Sequence, residues 1–179
     1  VQTCALPILG NELRDKDTST PYEFAVDSLA ESDGDLKLRF KAYTTENESG
    51  EATVTVSVDN GVSKGAPFHV EKGEAALQDS RWDDAITEGR IALKADAKSN
   101  AARIVLARAY LGKGDTAKAQ KYAEDAVEAD PSNAAALSLL STINLQAAFK
   151  TVATSGGDRK EALTAIKDAL SNAVGTRRK

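Results

Sequence analysis

The sequence predicts a multidomain chain of α and β structure, with the β part first and an all-α part after it. Three observations carry this. Up to about residue 60, apolar and polar side chains alternate with a period of two, as half-buried strands require. Beyond residue 65 the period changes to about three and a half, the signal of amphipathic helices. The second part also aligns with itself in evenly spaced copies that begin at Ala66, Asn100 and Ala134, which marks a repeat array. With 179 residues the chain suits one medium domain or two small ones. Its composition, 41% hydrophobic but only 5% aromatic and 28% charged, is that of a globular chain. No stretch approaches the roughly 18 consecutive apolar residues of a membrane helix, so no membrane insertion is expected.

Residues 1–8 (VQTCALPI) match the translation of a common sequencing-library adapter, and they are expected to be an artefact outside the fold. The sequence holds no Met, so it reads as a fragment whose start and signal peptide lie upstream. Cys4, the only cysteine, then says nothing about redox compartment.

Three strands follow. Tyr22, Phe24 and Val26 alternate with Glu23, Ala25 and Asp27 just after Pro21, which suits a strand start. Leu36, Leu38, Phe40 and Ala42 alternate with Lys37, Arg39, Lys41 and Tyr43. Ala52, Val54, Val56 and Val58 alternate with Thr53, Thr55 and Ser57, residue types favoured on pleated surfaces. The connectors carry turn chemistry: Asp33-Gly34, Glu48-Ser49-Gly50 and Asn60-Gly61. Short antiparallel strands with polar loops point to one edge of a β-sandwich. The run from Asp17 through Pro21, Tyr22 and Phe24, the Asp33-Gly34 turn and the final Ala52-Thr53-Val54-Thr55-Val56 strand resemble bacterial immunoglobulin-like domains over residues 9–60. The resemblance implies a partial sandwich, with the strands before Leu9 absent, and an extracytoplasmic home in the periplasm, at the cell surface or outside the cell.

Residues 61–65, rich in Gly, Ser and Lys, read as a hinge. The helical part is expected over residues 66–172, in three copies starting at Ala66, Asn100 and Ala134. In the middle copy, Leu106, Ala107 and Tyr110 fall on a first helix and Gly114-Asp115 on a turn. Ala119, Ala123 and Ala126 fall on a second helix, which Pro131 closes. Ala107, Ala119 and Ala126 are small because close helix crossings leave no room for more. Gly114 suits the left-handed end of a helix and Asp115 the cap of the next. The first copy keeps Gly73, Trp82, Ala85 and Ala92 at matching phases. The third keeps Leu140, Ser141, Ala162 and Ala169, with a turn and capping box at Gly157-Asp158 and Glu161. An insertion of about nine residues near Phe149 either lengthens its first helix or adds a loop.

These residues resemble tetratricopeptide repeats, most fully in the middle copy, and the resemblance implies a superhelix of about three helix pairs. It further implies a concave groove that holds a peptide or helix of a partner protein. Carried over phase by phase, the lining is Val70, Glu71 and Glu74 in the first copy. The second copy supplies Ile104, Val105 and Arg108, and the third Ser138, Leu139 and Thr142. The subtype that grips carboxylate tails needs Lys, Asn and Arg at phases that here hold Val70, Glu74, Val105, Ala135 and Leu139, so that subtype is not expected.

Catalytic chemistry is poorly supplied. His69 is the only histidine and reads as a partly exposed structural residue, with no nucleophile arranged around it. Glu31, Asp33 and Asp35 cluster at a hairpin without the spacing of a calcium loop, and no phosphate-cradling glycine motif is present. No cofactor or metal is expected. A net charge of −4 argues against a nucleic-acid partner, and the tail at residues 173–179, with Arg177, Arg178 and Lys179, reads as solvent-facing. Asn47-Glu48-Ser49 fits a glycosylation tripeptide that short sequences meet by chance. The expectation is a non-enzymatic interaction scaffold presented by the β part. The alternative is the accessory C-terminal region of a larger secreted enzyme or adhesin. A third idea, carbohydrate binding by the β part, has only Tyr22 and Tyr43 as aromatic platforms.

Overall fold

The computed structural model describes residues 2–9, 12–13, 22–44, 46, 48–154, 160, 163–164, 166–168 and 171. The chain divides into two compact units between Gly61 and Val62.

The first unit is an antiparallel sheet of order β2-β1-β3-β4, formed by β1 Gln2–Leu9, β2 Glu12–Leu13, β3 Gly34–Thr44 and β4 Ser49–Val58. In the β3–β4 ladder Leu36 faces Val56, Leu38 faces Val54 and Phe40 faces Ala52. Opposed residues share a face, so the sequence alternation becomes one apolar face and one of Lys37, Arg39, Lys41, Thr53 and Thr55. Across the polar face Lys41 pairs with Glu51 at 3.5 Å.

Two expectations change here. Residues 2–8 of the octapeptide set aside as foreign to the fold run, with Leu9, as β1, antiparallel to β3 from Gln2 opposite Thr44 to Leu9 opposite Leu38. Sheet pairing draws on backbone groups that every residue carries, so the origin of a sequence does not keep it out of a ladder. Residues 22–27 form no strand, although Phe24 lays its ring 5.9 Å from that of Phe40. Local turn chemistry wins over alternation: the Asp27 carboxylate accepts from the Leu29 amide and caps a 3-10 turn at Ser28–Ala30. Asn60 ties this segment to the end of β4, donating its side-chain amide to Asp33 Oδ1 at 2.8 Å and to the Ser28 carbonyl at 3.0 Å. The described residues of this unit make a single sheet, on which Val54 and Val56 stay 49% and 42% exposed.

The second unit opens with a 3-10 turn at Val62–Lys64, where the sequence suggests a plain hinge. Then come α1 Ala66–Gln78, α2 Trp82–Ala95, α3 Asn100–Gly112, α4 Thr116–Ala129 and α5 Ala134–Thr154. The first helices begin where the three copies begin. The insertion near Phe149 lengthens α5 to 21 residues, against 13 for α1 and α3. Helical backbone also occurs at 160, 163–164, 166–168 and 171, while Gly157-Asp158, Glu161, Ala162, Ala169 and the tail lie outside the described residues.

The caps recur at the same period. Ser99 Oγ accepts from the Ala102 amide at the start of α3, and Asn133 Oδ1 accepts from the Ala136 amide at the start of α5. Asp96 and Asp130 each turn back to accept an amide two residues on, from Lys98 and Ser132. At the α3–α4 turn the Asp115 amide donates to the Tyr110 carbonyl and Gly114 sits at φ 81°. The α1–α2 turn repeats those bonds with Arg81 to Ala76 and Ser80 to Leu77, Ser80 holding φ 57°.

Packing follows the small residues. Ala85, Ala92, Ala107, Ala119, Ala123 and Ala126 are fully buried at the crossings. Leu106 and Ile143, also fully buried, fill the spaces between pairs. Glycine allows the closest approaches: a Cβ added at Gly73 would lie 2.7 Å from Val105 Cγ1, and one at Gly89 would lie 2.7 Å from Leu106 Cγ. Tyr110 stacks on Tyr122 with ring centroids 5.6 Å apart, and Lys118 caps the stack over the Tyr110 ring. Burial of the Tyr122 hydroxyl pushes its pKa up.

Candidate functional site

The first helices of successive pairs lie side by side, α1 against α3 and α3 against α5. Between α1 and α3 they leave two hollows. One, of about 310 Å³, is floored by Ala66, Pro67, Val70 and Ala101 and rimmed by Glu71, Glu74, Asp96 and Ser99. The other, of about 420 Å³, is lined by Glu74, Leu77, Gln78, Trp82 and Arg108. Glu74 lines both, so the two adjoin along α1 in one trough-shaped face.

The reason lies in helical phase. Positions 70, 74 and 77 share one face of α1, three to four residues apart, and 101 and 108 share the matching face of α3. Glu71, Glu74 and Arg108 are exposed, and among the described residues none of the three makes a hydrogen bond or ion pair. Three neighbouring cations are engaged elsewhere. Lys64 and Lys72 stand over the Phe68 ring, 5.1 and 5.0 Å from its centroid. Arg103 donates to the backbone carbonyls of Ala97 and Lys98.

Of the residues that the sequence assigns to a groove, Val70, Glu71, Glu74 and Arg108 line this trough. Ile104 is half-buried against the cluster of Ala107, Leu139, Leu140 and Ile143. Ser138 and Thr142 are exposed one turn apart on α5, where the Thr142 hydroxyl donates to the Ser138 carbonyl. Val105 and Leu139 do not belong to the surface: they are 1% and 9% exposed and pack into the helix contacts. Both stand one residue beyond the groove phase, where the side chain turns towards the preceding helix pair, Val105 against Gly73 of α1. The sequence misses Leu77, Gln78, Trp82, Asp96 and Ser99 as lining residues. Leu77 had a signal, since leucine recurs at its phase in Leu111 and Leu145.

His69 is also corrected. It is buried, 4% exposed, with Nδ1 2.6 Å from Glu88 Oε2 and its ring against the edge of Phe68. Its phase turns it into the α1–α2 contact, away from solvent. A further hollow between α1 and α2 is rimmed by Lys72, Arg81, Asp84 and Glu88. There Arg81 is held by Asp84 at 2.6 Å and Asp79 at 3.2 Å, and these carboxylates raise its pKa. Among the described residues no group of three or more His, Cys, Asp or Glu is placed to hold a metal ion. No described helix is long and apolar enough to cross a membrane.

The trough therefore offers recognition chemistry: aliphatic floor, carboxylates on one side and a guanidinium on the other. No curated protein matches the chain. Residues 76–143, from the end of α1 to the middle of α5, match the tetratricopeptide repeat family.

Proposed function

We propose that the helical unit is a non-enzymatic protein-interaction module whose trough holds a peptide segment or helix of a partner protein. Repeats of the matched family usually mediate protein–protein interaction. The observation that carries the reading is the pair of adjoining hollows between α1 and α3, in which Glu74 and Arg108 present charges that the described residues leave unpaired. An unpaired charge on a concave, partly apolar surface is what a partner's polar groups can satisfy while its side chains fill the hollows. In this reading the β unit is a spacer, part of an immunoglobulin-like sandwich, and the protein works outside the cytoplasm. The alternation of β3 and β4 and the exposed apolar face of the sheet support the sandwich.

The test is selection of displayed peptides on the full chain, followed by amide-shift mapping of the selected sequences. Binders should shift amides of α1 and α3 and lose affinity when Leu77→Arg blocks the trough. Binders that map to α2 and α4 and ignore Leu77→Arg would overturn the proposal.

A further inference from the structure

Resting on that reading, we propose that the trough selects a cationic partner segment, in which a Lys or Arg side chain enters the hollow beside Glu71 and Glu74 and a neighbouring aliphatic side chain covers Val70. The first observation is the sign of the rim. Glu71, Glu74 and Asp96 converge on the hollow of about 310 Å³, and no Lys or Arg lines it among the described residues. Glu71 and Glu74 stand three residues apart on one helix, where like charges weaken the helix that carries them. Nothing in the packing of the unit requires either carboxylate, since both are exposed and make no hydrogen bond or ion pair among the described residues.

The second observation concerns the cations within reach. Lys64 and Lys72 are turned onto Phe68, and Arg103 is committed to the backbone carbonyls that end the α2–α3 loop. These three cations are thus held by other groups, and with no Lys or Arg lining the hollow among the described residues its rim carries negative charge that a partner's cation can meet. The third is the floor. Ala66, Pro67, Val70 and Ala101 give the aliphatic stem of a Lys or Arg a surface to lie on while its head reaches the carboxylates. Complementary potential of this kind sets specificity and encounter rate more than raw affinity. The guanidinium of Arg108 at the other hollow repels a second cation there, so the segment's positive charge is confined to the Glu71 side.

The experiment titrates the full chain with peptides chosen from an array in which one position next to leucine is Lys, Gln or Glu. The Lys peptide should bind best and weaken as salt rises. The Glu71→Gln, Glu74→Gln double variant should lose about tenfold in affinity for it, and Glu74→Lys should shift preference to the Glu peptide. Both variants change exposed residues, and an unaltered circular dichroism spectrum shows that the fold survives. If peptides occupy the trough, are blocked by Leu77→Arg, yet bind Lys, Gln and Glu forms alike, the charge proposal fails and the groove stands. If no peptide in the array is blocked by Leu77→Arg, both fail. Calcium chloride alone shifting the α1 amides at micromolar concentration would overturn the proposal in favour of an ion site.

Discussion

Replacing Gly73 by alanine tests a close helix contact made by a stiff, β-branched side chain. The added Cβ would stand 2.7 Å from Val105 Cγ1, with Glu88 Cβ at 3.7 Å and the Ala85 carbonyl at 3.8 Å. Carbon atoms prefer a separation of about 3.5–4.0 Å, so about 1 Å of overlap must be relieved. Val105 cannot swing away, because a β-branched side chain in a helix keeps one χ1 and this one is buried. Overpacking of this kind costs about 1–3 kcal/mol, offset by about 0.5–1 kcal/mol from alanine's better helix propensity. The net expectation is a loss of about 1–2 kcal/mol. Val105→Ala alone removes two buried methyl groups and should cost about 2 kcal/mol. The double variant places the new methyl where Cγ1 was, so Gly73→Ala should become neutral or stabilising in that background. A coupling of about 2 kcal/mol follows, within the range that residues in direct contact show. Urea unfolding of the four proteins by circular dichroism measures it. Additivity within about 0.5 kcal/mol, or a stabilising Gly73→Ala in the parent chain, would refute the contact.

Three further outcomes follow from local chemistry. Ser80→Gly should stabilise the helical unit by about 1 kcal/mol, because Ser80 holds the left-handed φ of 57° that Gly114 takes freely one repeat later; an unchanged or lower urea midpoint counts against it. The Asp115 carboxylate is held below its ordinary value of 3.8 by the Lys118 amide and then by its side chain, and Asp130 by the Ser132 hydroxyl and amide. Lowered folded-state values mean stability that is present above the ordinary value and lost as pH falls through the folded one. The acid limb of stability against pH should therefore flatten in Asp115→Asn, and an unaltered limb would sink the assignment. Finally, β4 stands at the sheet's edge among the described residues with Val54 and Val56 exposed, so the chain should self-associate at high concentration and Val54→Lys with Val56→Lys should reduce this. Sedimentation of the parent chain as a concentration-independent monomer would contradict it.

Much of the helical unit was legible because its chemistry recurs at a fixed spacing. Ala66, Asn100 and Ala134 open helices in register, and Gly114 and Asp115 end one helix and cap the next as their residue types require. Periodicity locates a face to within about one residue, and there it stopped. Val105 and Leu139 are apolar in a stretch where a groove also tolerates apolar residues, so composition could not separate lining from core. Gly89 and Gly112 gave no sign of their role, since the partners they admit, Leu106 and the Trp82 ring, lie on other helices far along the chain. In the β unit the alternation of β3 and β4 was read correctly, but Tyr22 to Asp27 alternates too, and a carboxylate cap decides its conformation instead.

The same phase relation explains why the trough has its carboxylates at α1. Val105 and Leu139 each occupy the position whose side chain packs towards the preceding helix pair, and both are buried. Glu71 holds that position in α1, one repeat before Val105, and it is exposed. Among the described residues no helix pair precedes α1 for it to meet, and a polar side chain there is what the first repeat of an array calls for. Solvation alone would be met as well by lysine or glutamine. Glutamate at 71 with glutamate at 74 and aspartate at 96 gives that end of the trough a single sign, and the choice of sign is what a partner reads. Glu71→Lys separates the two demands. It keeps a solvated end and should leave the stability within about 0.5 kcal/mol of the parent, as exposed substitutions do. The same change should cut the affinity of the Lys peptide, whereas a loss of stability without a loss of binding would show that Glu71 serves the fold alone.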